Sequence, residues 1–266
     1  MIAEPPPRSP QPQVAPPPHR LVLGLRVDAT SYEDSARRVL DWSNEERGRY
    51  VCAANVHTTM LGWDDPDFQR VVNEADLVTP DGMPLVWALR RLGVDGATRV
   101  YGPTLTLHVC ELAANEGVPV GFYGGSPEAL ERLVANLQAR YPALRVAFAE
   151  SPPFRALTPE EDEAALGRMR ASGARILFVG LGCPKQERWM ADHRDRVPLV
   201  QLGVGAAFDF HAGMVRQAPQ ALQNAGLEWA FRLAMEPRRL AGRYLRHNPR
   251  FVWHFGRQLL RERSRS

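Results

Sequence analysis

The sequence predicts an α/β fold in which a mostly parallel sheet is covered by helices on both faces. Two observations support this prediction: short apolar segments alternate with helical segments, and the unusual glycine, proline and polar residues follow the apolar segments. A third observation predicts a basic helical appendage at the end of the chain. From Arg238 onward arginines are dense, and only Glu262 opposes them.

The first half of the chain predicts three strands separated by helices. The predicted strands are 21–27, 50–54 and 75–79, and the predicted helices are 31–43, a stretch from 58, the stretch after Gly82, and 106–116. Ser31 is expected to cap the first helix, and Gly117 is expected to end the last of these four.

The second half continues the alternation more sharply. The predicted strands are 118–123, 144–148, 176–179 and 199–202, and the predicted helices begin at 126, 158 and 185. Ser126 with Pro127 is typical of a helix start, and Thr158 with Glu161 forms a capping-box pattern. Ligands of parallel sheets bind at the carboxyl ends of strands, so the residues that follow these strands are the first candidates for a site.

Composition bounds the class of protein. The chain has 266 residues, 44% hydrophobic residues, 24% charged residues and a net charge of +3, which suits one globular domain. Its three cysteines form no CxxC pair and are expected to be reduced, cytosolic thiols. No segment is long and apolar enough to span a bilayer. The proline-rich residues 1–20 lack the apolar stretch of a signal peptide and are expected to be a disordered leader.

Three glycine-bearing turns follow predicted strands, at 124–125, 180–182 and 203–205. Such turns can present backbone N–H groups to a phosphate, but glycine also serves tight turn geometry, so both interpretations stay open. None of the turns matches GxGxxG or GxxxxGK[ST], which disfavours a dinucleotide site and a P-loop.

Several polar residues at these positions have two interpretations. Asp81, between Pro80 and Gly82, could cap the helix that follows, which local sequence favours, or act as a general base. Lys185 and Gln186 could bind a diphosphate or be solvated. Arg99 could pair with a phosphate or with a carboxylate.

No metal site is predicted. The DxD pattern at 65–67 lies in a polar stretch where a helix cap or turn is the commoner use. His57, His193 and His211 are scattered, without metal-ligand spacing.

The last forty residues combine aromatic and basic side chains. Trp229, Phe231, Trp253 and Phe255 are interleaved with six arginines between 232 and 250. This pattern fits an interfacial membrane element and also a nucleic-acid-binding arm, and local sequence does not separate the two.

Together these motifs resemble the WecG/TagA/CpsF glycosyltransferases (family 26), from about Leu21 to the end of the chain. The matching segments are A-D-L-V-T-P-D-G-M-P at 75–84, R-V-Y-G at 99–102, F-V-G-L-G-C-P-K-Q-E at 178–187, G-V-G-A-A-F-D at 203–209, and G-L-E-W-A-F-R at 226–232 followed by Glu236-Pro237. Several long motifs in the same order are far more specific than any single glycine turn.

The resemblance implies a Rossmann-like core and an inverting sugar transfer without a metal or other cofactor. It implies that Asp81 is the catalytic base and that arginines of a C-terminal appendage hold the substrate diphosphate. The residues expected to bind substrate are Asn55, Arg99, Gly124, Gly125, Gln186, Asp209, Arg232, Arg239 and Arg243.

Two positions depart from the family pattern. Ala53 stands where members often carry a threonine, so one substrate hydrogen bond is expected to be absent. Gly242 stands where an arginine is usual, and the adjacent Arg243 is expected to take its place.

The predicted organisation is a leader (1–20), a glycosyltransferase core (21–226) and a membrane-associating appendage (227–266). The predicted partners are a UDP-sugar, a polyprenyl-diphosphate-linked saccharide and the inner face of the cell membrane, and not nucleic acid. N-acetylmannosamine, its uronic acid, glucose and glucuronic acid remain alternatives for the donor sugar, and a homo-oligomer remains an alternative to a monomer. Two rival functions are a non-catalytic nucleotide- or anionic-lipid-binding protein and, less favoured by the motifs, a nucleotide-dependent oxidoreductase.

Overall fold

The computed structural model describes residues 15–224 and 226–264, without the side chains of Gln220, Asn224 and Arg239. Residues 1–14, most of the predicted leader, therefore lie outside the described residues. The last leader residues contact the folded chain: the N–H of Ala29 donates to the carbonyl oxygen of Pro18 (2.7 Å), and Arg38 donates to that of Ala15 (2.7 Å). Regular structure begins at His19, just before the predicted boundary.

The structure corrects the first predicted strand. Residues 21–27 do not form one strand but belong to a two-stranded antiparallel hairpin, β1 (His19–Val22) and β2 (Leu25–Asp28), outside the main sheet. Leu23 and Gly24 between them have φ angles of +54° and +84°, as a tight two-residue hairpin turn requires. The apolar run was continuous across this turn because Leu23 occupies a position where glycine or asparagine is usual.

The main sheet confirms the predicted α/β fold. Its six strands, all parallel to their neighbours, lie in the order β4-β3-β8-β7-β5-β6. Their bounds are β3 (Arg49–Ala54), β4 (Leu77–Pro80), β5 (Val120–Gly124), β6 (Val146–Glu150), β7 (Ile176–Gly180) and β8 (Val200–Gly203).

Helices connect the strands and continue beyond the last one. The helices of the first half are α1 (Tyr32–Trp42), α2 (Val56–Asp64), α3 (Pro66–Asn73), α4 (Met83–Arg91) and α5 (Gly102–Glu116). Those that follow are α6 (Pro127–Arg140), α7 (Pro159–Ala171), α8 (Lys185–His193), α9 (Ala207–His211), α10 (Gln220–Asn224), α11 (Glu228–Met235) and α12 (Pro237–Arg263).

Most predicted helix boundaries are confirmed, with their physical causes. The side chains of Ser31 and Ser126 cap α1 and α6, and Thr158 and Glu161 form a complete capping box on α7. Gly117 ends α5 in the left-handed conformation, at φ +68°. Two helices start earlier than predicted, since α2 begins at Val56 and α5 at Gly102.

Two apolar clusters cover the two faces of the sheet. Successive residues of β7 alternate between them: Leu177 and Val179 belong to one cluster, and Ile176 and Phe178 to the other. Burial on both faces explains why the central strands are almost wholly apolar. The polar residues are consequently displaced to the strand ends, where the candidate site lies.

The predicted appendage packs against the core. Phe251 of α12 is 5% exposed and belongs to the cluster that includes residues of β1, β2 and α2. Gln258 of α12 accepts a hydrogen bond from the N–H of Leu23 (2.9 Å) and donates one to the carbonyl oxygen of Leu21 (2.7 Å). Arg250 pairs with Asp64 of α2. None of the helices in the described chain has the length and apolarity needed to cross a bilayer.

Candidate active site

A cavity of about 800 Å³ opens at the carboxyl ends of β3, β4 and β8, and residues of α11 and α12 line its other side. It unites six of the sequence-predicted site residues. These are Asn55, Asp81, Arg99, Gln186, Arg232 and Arg243. Residues that are up to 188 positions apart in the chain (55 and 243) thus share one chamber.

Asp81, directly after β4, is fixed by several hydrogen bonds. Its Oδ1 accepts from the N–H of Gly102 at the start of α5 (2.8 Å), and its Oδ2 accepts from Asn55 Nδ2 (3.3 Å). Its own N–H donates to the carbonyl oxygen of Ala54 (2.8 Å). The carboxylate is therefore held at the junction of β3, β4 and α5.

Asp81 does not cap the helix that follows it, which corrects the interpretation that local sequence favoured. Gly82 occupies the N-cap of α4 and makes no side-chain cap bond. Burial raises the pKa of Asp81, while the charge of Arg99, the Gly102 N–H and the Asn55 amide oppose the rise. A carboxylate in such a setting can accept a proton more readily than an exposed one.

Asn55 is oriented by a second interaction, with the first turn of α2. Its Oδ1 accepts from the N–H groups of His57 (3.0 Å) and Thr58 (3.3 Å) and so caps α2. Because the oxygen is used in this cap, the amide nitrogen points to Asp81. The residue thereby couples the start of α2 to the carboxylate.

Arg99 makes three contacts with groups of the protein. Its Nε donates to the carbonyl oxygen of Asp81, its Nη2 lies 2.6 Å from Glu228 Oε2 of α11, and its guanidinium lies 4.2 Å from the centre of the Tyr101 ring. The carboxylate that pairs with Arg99 is buried, since Glu228 is 8% exposed, and substrate binding by Arg99 stays a prediction. Arg99 thus connects the Asp81 loop to the appendage.

Gln186 is buried, 4% exposed, in the first turn of α8. Its Oε1 accepts from the N–H of Gly182 (3.2 Å), and its Nε2 donates to Glu187 Oε1 (3.0 Å). A Cβ at Gly203 would approach only the flexible ends of Met190 (2.6 Å) and Gln186 (3.1 Å), whereas Gly205 of the same turn has a φ of +48°, which glycine adopts most readily. This observation favours the structural explanation for the third glycine turn.

The appendage contributes two arginines with unused donors. Arg232 of α11 lies over the Phe210 ring (5.4 Å), and Arg243 of α12 lies over the Tyr244 ring (5.5 Å). The Nε atoms of both are buried and have no hydrogen-bond partner among the described residues. The side chain of Arg239, the third predicted appendage arginine, lies outside the described residues.

Gly124 and Gly125 lie elsewhere, in a second cavity of about 620 Å³ at the ends of β5 and β7. The N–H of Gly125 donates to the carbonyl oxygen of Gly180 (3.1 Å) and is not free for a phosphate. A Cβ at Gly124 would lie 2.5 Å from the Gly180 backbone. Lys185 also lines this second cavity. Asp209, in α9, is not among the residues that line either cavity.

Among the ionisable residues of the main cavity that sequence reasoning missed are His57, Glu187, Glu228 and His247. His57 and Glu187 each stand within two residues of a predicted site residue, in the first turn of a helix after a strand, which was a usable signal. Burial raises the pKa of the Glu187 carboxyl. Glu228 lies in the G-L-E-W-A-F-R motif at 226–232, which was also a usable signal, whereas His247 lies in α12 and gave none.

The DxD pattern has structural uses. Asp65 caps α3 and pairs with Arg188 (2.7 Å), and Asp67 pairs with Arg70 (3.1 Å). Across residues 15–224 and 226–264, no three His, Cys, Asp or Glu side chains are grouped as a metal site.

The main cavity therefore combines a buried carboxylate, a cluster of cationic side chains and a sheet edge of the kind that binds phosphorylated ligands. The sequence also matches a family model, the glycosyl transferase WecG/TagA/CpsF family, over residues 20–265. The match spans nearly the whole chain, including the strands, the cavity and the appendage. The chain belongs to the WecG/TagA/CpsF family and is a glycosyltransferase of polysaccharide biosynthesis.

Proposed function

We propose that the protein transfers a sugar from a UDP-sugar to a polyprenyl-diphosphate-linked saccharide, with inversion at the anomeric carbon. The observation that carries this proposal is that polar and apolar side chains line the same cavity. Asp81, Arg232 and Arg243 are among the polar residues of the lining, and Trp87 of α4 and Phe255 of α12 are among the apolar ones.

Much of the apolar lining comes from two helices that belong to different predicted units. Met83, Pro84 and Trp87 come from α4, and Val252, Phe255 and Leu259 come from α12. An acceptor with a diphosphate and an isoprenoid chain likewise combines a charged part with an apolar part. Its diphosphate would meet the arginines, and its first isoprene units would lie between α4 and α12.

Asp81 would serve as the general base. The acceptor hydroxyl loses its proton to the Asp81 carboxylate as its oxygen bonds to the anomeric carbon, and the bond from that carbon to UDP breaks. The electron pair leaves with UDP, whose growing negative charge requires cationic groups and N–H donors. The second cavity, which Lys185 lines, is our candidate for the nucleotide.

We further propose that the appendage holds the enzyme at the cytoplasmic face of the cell membrane. Val252, Trp253 and Leu260 are 70%, 64% and 66% exposed, and exposed arginines of α12 such as Arg246 and Arg257 are interleaved with them. Apolar and cationic side chains mixed on one helix suit an anionic membrane surface. The same residues could bind nucleic acid, and we favour the membrane because α12 also supplies apolar residues to the lining of the cavity.

The test of the transfer is a screen of UDP-sugars against short-chain polyprenyl-diphosphate saccharides, read by mass spectrometry, with NMR assignment of the new anomeric centre. We expect one UDP-sugar to give a disaccharide product of inverted configuration. UDP binding without any product would support the non-catalytic rival. Product of retained configuration would contradict the single-displacement step.

The membrane association is tested by sedimentation with liposomes. The protein should sediment with vesicles containing anionic lipid, and added salt should release it, because charges at a surface are screened beyond a Debye length of about 8 Å at physiological ionic strength. Equal binding to short RNA at the same salt concentration would favour the nucleic-acid alternative.

A further inference from the structure

Two histidines that the proposed transfer does not use face each other in the main cavity. His57 lies in the first turn of α2 and His247 in α12, with ring centres 5.0 Å apart and the ring planes inclined at 59°. Both line the cavity together with Arg243. The pair therefore stands where the core and the appendage meet.

The hydrogen-bonding state of these rings is unusual. The Nδ1 atoms of both are buried without a partner among the described residues, and His247 is only 6% exposed. A buried polar atom without a partner destabilises the free protein, and a ligand that supplies the partner recovers that loss. Two apolar rings would pack equally well at these positions, so packing does not explain why both residues are histidines.

The charged surroundings are mainly cationic. Arg243, Arg246 and Arg250 of α12 act on the pair, and Asp64 of α2 acts in the opposite sense on His247. The other charged or titratable groups that line the cavity are Asp81, Arg91, Arg99, Tyr101, Cys183, Glu187, Glu228, Arg232 and Tyr244. Protonation of either histidine is therefore disfavoured until an anion binds beside the pair.

We propose that His57 and His247 bind the acceptor's diphosphate beside Arg243 and take up a proton when it binds. This inference rests on the proposed function, because it needs an acceptor that carries phosphates. It adds histidine to arginine as a second kind of phosphate-binding side chain, one that becomes charged only when the substrate is bound.

The sign of the effect follows from the electrostatics. Burial, with Arg243 and the neighbouring ring, lowers the pKa of His57 to about 4, and burial with Arg246 and Arg250 lowers the pKa of His247. Both rings are then neutral near pH 7 in the free protein. Two phosphate charges nearby raise the pKa of the bound state, so affinity should rise as the pH falls, by up to about tenfold per pH unit for each proton, and level off below the free-state pKa.

The experiment measures binding of a farnesyl-diphosphate-linked N-acetylglucosamine to the full chain. This probe is a diphosphate diester, so its own charge is constant between about pH 5 and about pH 8, the range in which histidine titrates. Calorimetry in two buffers of different ionisation enthalpy gives the number of protons taken up. We expect net proton uptake by the wild type, and little or none by His57→Gln with His247→Gln.

The matched control is His254→Gln. His254 also joins α12 to α2, through Trp63 at 4.6 Å, but it is not among the residues that line the cavity. It should bind the probe with wild-type proton uptake. NMR titration of the histidine side chains in the wild type needs no variant and should show two resonances whose pKa rises when the probe binds.

Each outcome has a definite meaning. Binding without proton uptake, and with no change in any histidine pKa, contradicts the histidine inference and leaves the proposed acceptor intact. Unchanged pH dependence in the double variant likewise assigns the protons to other groups. If the probe does not bind at any pH, the acceptor class is wrong and the histidine inference falls with it.

Discussion

The two sides of the main cavity present their arginines in opposite states. On the core side, Arg99 is bonded to the Asp81 carbonyl oxygen and to Glu228, and it stacks on Tyr101. On the appendage side, Arg232 and Arg243 have buried Nε donors without partners among the described residues. Arg99 is bonded to the protein's own groups, and Arg232 and Arg243 retain donors for a ligand.

This difference separates positioning from binding. A ligand that displaces Glu228 from Arg99 must break an ion pair with a buried carboxylate, whereas a ligand that takes Arg232 or Arg243 satisfies donors that are otherwise unsatisfied. In the proposed mechanism, the core side supplies a fixed base, and the appendage side supplies the cations for phosphate.

The strongest test of this division is Asp81→Asn. Asparagine keeps the size of the side chain and an oxygen for the Gly102 N–H, but it cannot take a proton from the acceptor. Turnover should fall about 100-fold or more with UDP affinity little changed, measured by product formation and by calorimetry. The control Asp67→Asn, on an exposed residue paired with Arg70, should leave turnover unchanged. Near wild-type turnover in Asp81→Asn would exclude it as the base.

Removal of the appendage should have the next largest effect. A chain cut just before Leu227 loses Arg232, Arg243, the buried Phe251 and the Gln258 hydrogen bonds, but it keeps the sheet and the second cavity. Exposing the site of Phe251 should cost about 2 kcal/mol and lower Tm. The shortened chain should still fold, bind UDP and transfer poorly to membrane-anchored acceptor. Aggregation on expression would show that the boundary at 226 is misplaced.

Single arginine substitutions on the appendage side should have intermediate effects. Arg232→Ala and Arg243→Ala should each lower kcat/KM for the acceptor by about 10-fold to about 100-fold, the range for a hydrogen bond to a charged group. Tm should change little. With a short-chain soluble acceptor, Arg257→Ala, on an exposed residue of α12, should be without effect. Equal losses in all three variants would point to general charge rather than to a phosphate site.

The raised pKa of Asp81 should shift the pH profile of kcat/KM, an effect smaller than those of the substitutions above. The active form of a base is the ionised one, so activity is lost as the pH falls through its pKa. Because burial raises that pKa above 3.8, the acid limb of kcat/KM should lie at higher pH than for an exposed aspartate. An acid limb that persists unchanged in the residual activity of Asp81→Asn would belong to another group.

A chelator should have no effect at all. The cationic side chains would meet the charge of the departing UDP, and Asp65 and Asp67 are engaged in a helix cap and ion pairs. Activity lost in EDTA and restored by Mg²⁺ or Mn²⁺ would contradict this account and would make both aspartates candidates again.

Periodicity and capping chemistry predicted most of the fold because they are local. The capping box at Thr158, the glycine stop at Gly117 and the apolar strands needed no knowledge of distant residues. The β1–β2 hairpin was missed because its turn begins with Leu23, whose positive φ no sequence rule favours. The order of the strands and the packing of α12 on α2 depend on contacts far apart in sequence.

The site was predictable where it lies next to a strand end and where the family motifs mark it. Asn55, Asp81 and Gln186 meet in the main cavity as expected. The partner of Arg99 was not predictable, since Glu228 is 129 residues away. The role of Gly125 was also not predictable, because only the pairing of β5 with β7 shows that its N–H is already used.

The bridge through Arg99 has a thermodynamic consequence. One guanidinium bonds both the backbone beside the base and a carboxylate on α11. The free energy of seating α11 therefore includes a contribution from the conformation of the Asp81 loop, and linkage requires that contribution to be reciprocal. A UDP-sugar that favours one loop conformation therefore changes the equilibrium constant for seating the appendage. By linkage, the seated appendage changes the affinity for that UDP-sugar by the same factor.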